Sequence, residues 1–140
     1  MNRIVLLSLF SLFACDLLQA QELWFTRTGK IEFHAGTPLE DIDAVNNEVT
    51  SILNPQTSEI AFTVLIKSFH FRRALMEEHF NENYMESTKW PKSTFKGKIL
   101  NPDKLLFEKD GQYTSEIEGD LFIHGITRKI RTGATFTIKN

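Results

Sequence analysis

The side chains in this 140-residue chain that could do chemistry are four histidines, one cysteine and two runs of carboxylates. A zinc-type site brings imidazoles together, most simply at i and i+4 on a helix, or joins them with thiolates. His34, His70, His79 and His124 have no such spacing, and Cys15 is the single cysteine. They read as surface or capping histidines, and no metal is expected. His79 differs in falling on an apolar stripe, where a buried imidazole is expected to hydrogen-bond to a nearby carbonyl. Glu77, Glu78 and Glu82 share one side of a helical stretch, and Glu116, Glu118 and Asp120 lie mostly on the polar side of a strand. Both groups read as solvated faces rather than acid–base pairs. The chain has no nucleophile elbow, no phosphate-binding loop and no dinucleotide fingerprint. No catalytic residue is assigned, and the chain reads as a noncatalytic protein. The competing reading, a hydrolase using His79 or His124 as base, finds no partner nucleophile in the pattern.

Bulk properties narrow the classes further. The net charge is −2, and Lys and Arg form no patch, which argues against nucleic acid as a partner. Phenylalanine is abundant at 12 residues, against two Trp and two Tyr. Such a composition suits either a Phe-rich core or an apolar cavity, since the same residues line both. At the N-terminus, Arg3 precedes an apolar run from Ile4 to Ala14, and Leu18-Gln19-Ala20 forms a plausible cleavage site before Gln21. Residues 1–20 therefore read as a secretory signal peptide, which places the mature protein in the periplasm or outside the cell. Lipoprotein processing at Cys15 is the alternative, with Phe13 a poor fit to the small residue expected there.

The elements that would position these side chains are mostly strands. Ser68 to Pro91 is the one stretch of the mature chain that reads as a helix. Leu75, Met76, His79, Phe80 and Tyr84 recur at spacings of three and four. Arg73, Glu77, Glu78, Asn81 and Glu82 fall opposite them. A lone helix with one apolar face must lie against a sheet or close the end of a barrel. Elsewhere the alternation has a period near two. Leu23 to His34 reads as a strand with Phe25, Ile31 and Phe33 on one side, followed by a turn at Thr37 to Asp41. Asp43 to Leu53 places Val45, Val49 and Leu53 on one face. Asn54-Pro55-Gln56-Thr57 makes a hairpin with Glu59 to Lys67, where Ile60, Phe62, Val64 and Ile66 oppose Ala61, Leu65 and Phe69. After Trp90-Pro91 come Ser93 to Leu100, with Gly97 suited to a bulge or a close backbone contact, and Tyr113 to Ile123. His124-Gly125-Ile126-Thr127 turns the chain into Lys129 to Lys139. Turns every eight to twelve residues indicate an antiparallel barrel or a sandwich.

Two separated runs carry a family resemblance. Met76-Glu77-Glu78-His79-Phe80, continued by Tyr84-Met85, Pro91 and Thr94-Phe95-Lys96-Gly97, is the first. The second is Glu118-Gly119-Asp120-Leu121-Phe122-Ile123-His124-Gly125-Ile126-Thr127-Arg128-Lys129. Together and in this order they resemble the YceI family, with Glu77 where the family has Asp and with Ile126 and Arg128 as mild changes. Thr37-Pro38-Leu39-Glu40-Asp41 resembles the versions found in Bacteroidetes-type bacteria. The likeness spans residues 21–140.

The resemblance implies a mainly β protein: a lipocalin-like antiparallel β-barrel with one short helix between strands, holding a polyisoprenoid or similar lipid, such as an isoprenoid quinone, in an apolar pore. Family members usually continue with further strands beyond the point reached by Asn140, so either the sequence is a fragment or the barrel is open. An open barrel would expose edges able to pair with a second copy. The expected partner is a hydrophobic lipid, with transient membrane contact and a homodimer as further expectations. No cofactor other than a bound isoprenoid lipid or quinone is expected. Cavity candidates are Phe33, Phe62, Val64, Ile66, Phe95, Leu121 and Ile123 from strands, and Met76 and Phe80 from the helix. An interaction protein with a filled barrel and no lipid is the alternative.

Overall fold

The computed structural model describes residues 22–36 and 41–140. The leader reading of residues 1–20 and most of the turn at Thr37 to Asp41 lie outside them. Seven strands form one antiparallel sheet: β1 (Trp24–Gly36), β2 (Asp41–Asn54), β3 (Glu59–Leu65), the two-residue β4 (His70–Phe71), β5 (Lys92–Leu100), β6 (Gly111–Ile123) and β7 (Ile126–Ile138). The order across the sheet is β1-β2-β3-β5-β6-β7, and β4 pairs with β2 where β3 has ended. The result is a curled half-barrel. Its two outer strands, β1 and β7, are paired on one side only among the described residues.

Local chemistry explains the turns. Asn54 Oδ1 accepts from the backbone N–H groups of Gln56 and Thr57, at 2.9 and 3.1 Å, and so closes the β2–β3 hairpin. His124 and Gly125 both have positive φ, 49° and 76°, the backbone of a two-residue turn that matches the twist of β6 and β7. Gly97 pairs with Gly119 across β5 and β6. A Cβ on Gly119 would lie 2.5 Å from the Gly97 Cα, so the two strands meet at a distance only glycine allows. The expected close approach at Gly97 is present, and the β5–β6 register is unbroken there.

Two strands depart from simple alternation. The β1–β2 register shifts between Thr26 and Gly29, and again between Gly29 and Ile31. The first bulge puts Phe25 out of phase with Ile31 and Phe33, and Phe25 is 71% exposed. The second puts Val45 out of phase with Val49. Ala44, Asn46 and Val49 are buried instead, and Val45 is only half-buried. Asn46 is fully buried and fixes this bulge. Its Nδ2 donates to the Leu65 carbonyl at 2.8 Å, and its Oδ1 accepts from the Glu48 N–H at 2.9 Å.

The helix is much shorter than Ser68 to Pro91. Ile66–Ser68 is a 3₁₀ turn and His70–Phe71 is strand. The α-helix α1 covers Ala74–His79 and runs into a π-helical turn at Phe80–Tyr84. The break at Ile66–Ser68 also swings Phe69 inward. It does not lie opposite Ile66 but is buried in the main cluster with Ala44, Val49 and Val64. No residue of α1 or the π turn is fully buried.

Strands β1 to β7 present the same two ends to the chain connections. At one end the 101–110 connection reaches across to β1, where Phe107 meets Trp24 edge-on at 5.4 Å between ring centres. The other end carries residues 66–91. Their neck is closed by the Ile66 N–H donating to the Pro91 carbonyl at 3.0 Å. One side of this cap is tied to β2 by the β4 pairing and by Ser68 Oγ donating to Glu48 at 2.6 Å. Its other side rests on the β6–β7 turn, where Trp90 packs on Phe122 at 6.0 Å and Glu86 meets His124 at 2.9 Å.

Candidate lipid cavity and cap groove

The concave face of the half-barrel lines an open cavity of about 370 Å³. The strand periodicities build it directly. Phe62 and Phe95, partners in the β3–β5 register, stack at 5.9 Å and face it together. Val64 and Ile66 extend the β3 wall, Leu121 and Ile123 the β6 wall, and Phe33 comes from β1. Phe80 is added from the cap. Met76 is not part of this wall. It lies on the far side of the cap, in a neighbouring groove of about 540 Å³ that also contains Leu75, His79 and Tyr84.

Several wall residues escaped the sequence reading of the site. Ile31, Ile117 and Ile130 line the cavity through the same alternation that identified their neighbours. Phe69 and Met85 do so because of breaks that alternation does not signal: the 3₁₀ turn at Ile66–Ser68 and the π turn at Phe80–Tyr84. Ser93 and Thr94 are the polar residues of the wall. The Ser93 hydroxyl donates to the Phe122 carbonyl at 2.7 Å, which occupies its proton.

At the capped end, four phenylalanines form one cluster. Phe33 stacks on Phe80 at 5.7 Å and meets Phe69 and Phe71 edge-on at 5.6 and 5.8 Å. Phe80 also lies 5.5 Å from Phe69 and 4.9 Å from Phe71. Offset and edge-on geometries at these distances add to simple burial. Among the described residues, the side chains that belong to both the cavity wall and the groove wall are Phe33 and Phe80.

The histidines are dispersed. His34 Nδ1 sits 2.5 Å from Asp43 across the β1–β2 pair. This hydrogen bond raises the imidazole above its ordinary value and lowers the carboxyl below its own. His70 lies 3.7 Å from Glu77. His124 pairs with Glu86. His79 is exposed on the groove rather than buried against a carbonyl. Glu77 is not free on the wet face, since it accepts the Phe71 N–H at 3.2 Å and so anchors α1 to β4. Glu116 is held below the usual carboxylate range by the two-pronged hydrogen bond from Arg131. Among the described residues no group of three His, Cys, Asp or Glu is placed to hold a metal.

A half-barrel of antiparallel strands with one short helix, capped at one end and hollow on its concave face, matches the lipocalin-like class of folds. The YceI-like domain model matches residues 26–140, and the chain belongs to that family. Among solved structures, a polyisoprenoid-binding domain from Saccharophagus degradans, implicated in plant cell wall breakdown, superposes with a TM-score of 0.71 at 9% identity, over 84% of this chain and 68% of that one. The Campylobacter jejuni YceI protein aligns with a TM-score of 0.44 at 14% identity, over 95% of this chain and 67% of that one. No curated protein sequence matches the chain.

Proposed function

We propose that the protein binds a polyisoprenoid or similar lipid, such as an isoprenoid quinone, in the cavity of the half-barrel, and carries or sequesters it without chemical change. The observation that carries this reading is the wall itself. Apart from Ser93, whose proton is already used, and Thr94, every side chain around this hollow of about 370 Å³ is aliphatic, aromatic or thioether. An apolar wall of this kind favours an apolar guest, by about 25 cal/mol per Å² of apolar surface removed from water before the costs of association. Family membership and the likeness to a polyisoprenoid-binding domain support the choice of guest. Residues 1–20 support export, and with it a role in moving lipid to or from a membrane that the protein touches transiently. Leu75 and Tyr84, 56% and 72% exposed on the cap, suit such contact.

The test is native mass spectrometry of the protein taken from the compartment in which it works, followed by organic extraction. A bound mass matching a prenyl lipid or quinone is the expected result. Protein that is folded, monomeric and empty would overturn the carrier reading and favour a surface-interaction role.

A further inference from the structure

The cavity and the cap groove are adjacent and unlike. The cavity wall is apolar almost throughout, whereas the groove combines apolar Leu75 and Met76 with His79, Tyr84 and Arg73. Among the described residues, only the stacked rings of Phe33 and Phe80 are common to both. Phe33 is held in β1, but Phe80 stands where α1 passes into the π turn, on a segment with no fully buried residue. That segment is pinned at both ends, by the Glu77–Phe71 bond and β4 on one side and by Trp90 and Glu86 on the β6–β7 turn on the other. Within it, the buried Oδ1 of Asn81 has no hydrogen-bond donor among the described residues. A span tied at its ends, with no fully buried residue in α1 or the π turn between them, is a part of the fold that opens at low cost.

Resting on the lipid-binding reading, we infer that the cavity and the groove are two chambers of one binding site, joined past the Phe33–Phe80 stack. The ligand is an amphipathic prenyl lipid. Its tail fills the inner chamber, and its polar head, a hydrogen-bond acceptor, lies under α1 among His79, Tyr84 and Arg73. The polarity difference sets this orientation, because a head turned inward would lose its water in a chamber with almost no polar partner. Phe80 moves aside for the chain to pass, and its ring then packs on the lipid instead of on Phe33.

The experiment uses the whole protein and two photoreactive geranylgeranyl probes, one with a diazirine at the head and one at the tail end, with cross-links mapped by peptide mass spectrometry. Saturable labelling of the Arg73 to Tyr84 segment by the head probe, and of β6 and β7 by the tail probe, is the expected outcome. A second measurement compares binding of geranylgeraniol and of myrcene, a ten-carbon prenyl hydrocarbon without a polar head, to Met76→Trp, which fills the groove without belonging to the inner wall. Geranylgeraniol should bind about tenfold more weakly and myrcene unchanged. Saturable labelling of β6 and β7 alone by both probes, or unchanged geranylgeraniol binding to folded Met76→Trp, would keep a lipid-binding protein but overturn the two-chamber site. No saturable labelling by either probe would overturn the lipid reading as well.

Discussion

Asn46 shows how one polar side chain can decide the shape of a wall. It is buried, yet both ends of its amide are used, one on the Leu65 carbonyl and one on the Glu48 N–H. Asn46→Ala removes both bonds and leaves the Leu65 carbonyl and the Glu48 N–H without this partner, and it empties a fully buried position. Urea unfolding should show a loss of about 2–4 kcal/mol. The cavity residues act differently, because they face space. Phe62→Trp and Leu121→Trp should each reduce lipid uptake while the unfolding transition stays cooperative. Unchanged uptake by both folded variants would remove these walls from the site. His34 and Asp43 make a pH-dependent tie between β1 and β2. The raised imidazole stabilises the fold fully below its ordinary value of 6.5 and loses that contribution as pH rises through the higher folded value. The lowered carboxyl contributes above its ordinary 3.8 and loses its contribution as pH falls through the lower folded value. The tie is therefore strongest between those two ordinary values. An NMR titration should place His34 above a free histidine, and Asp43→Asn should return it toward the ordinary position.

The strand pair β5–β6 depends on two glycines facing each other. Gly119→Ala drives a methyl group into the Lys96 carbonyl and the Gly97 backbone, and only separation of the strands relieves it. A loss of about 3 kcal/mol or more is expected in chemical denaturation, enough to count among the severe single substitutions. Gly133→Ala in β7 is the matched control. Nothing lies within 4 Å of the added methyl, so it should be neutral or slightly stabilising. The cap obeys other rules. Its apolar stripe has true helical spacing, yet only Ala74–His79 is α-helical. The stripe faces a groove rather than a core, so little burial rewards a longer helix, and β4 takes the residues before it into the sheet.

Across the molecule, the proposed ligand would couple to stability. The half-barrel has a hollow face and two outer strands paired, among the described residues, on one side only, so the empty protein leaves apolar wall without a partner. A ligand that binds only the folded state adds about 2.7 kcal/mol at a hundredfold excess over its Kd. Refolded, lipid-free protein should accordingly melt several degrees lower than protein saturated with geranylgeraniol, and should bind more of a dye that reports exposed apolar surface. Equal melting temperatures with and without saturating lipid would count against the cavity as a binding site.

Alternation alone determined that the chain is an antiparallel β protein, and it located most of its strands, the hairpin at Asn54 to Thr57 and the turn at His124-Gly125. The same period placed Phe62 with Val64 and Leu121 with Ile123, because side chains two apart on a strand share a face whatever lies beyond it. Tertiary structure alone decided three things. It set the bulges that expose Phe25 and bury Ala44 and Asn46, because a shift in register depends on the partner strand. It brought Phe69 inward and kept Met76 out of the cavity, because the path of residues 66–91 is governed by anchors on β2 and on the β6–β7 turn, both distant in sequence. Finally, it left a hollow where a filled core would show the same pattern, since a wall and a core differ only in what stands opposite, and that is a property of three dimensions.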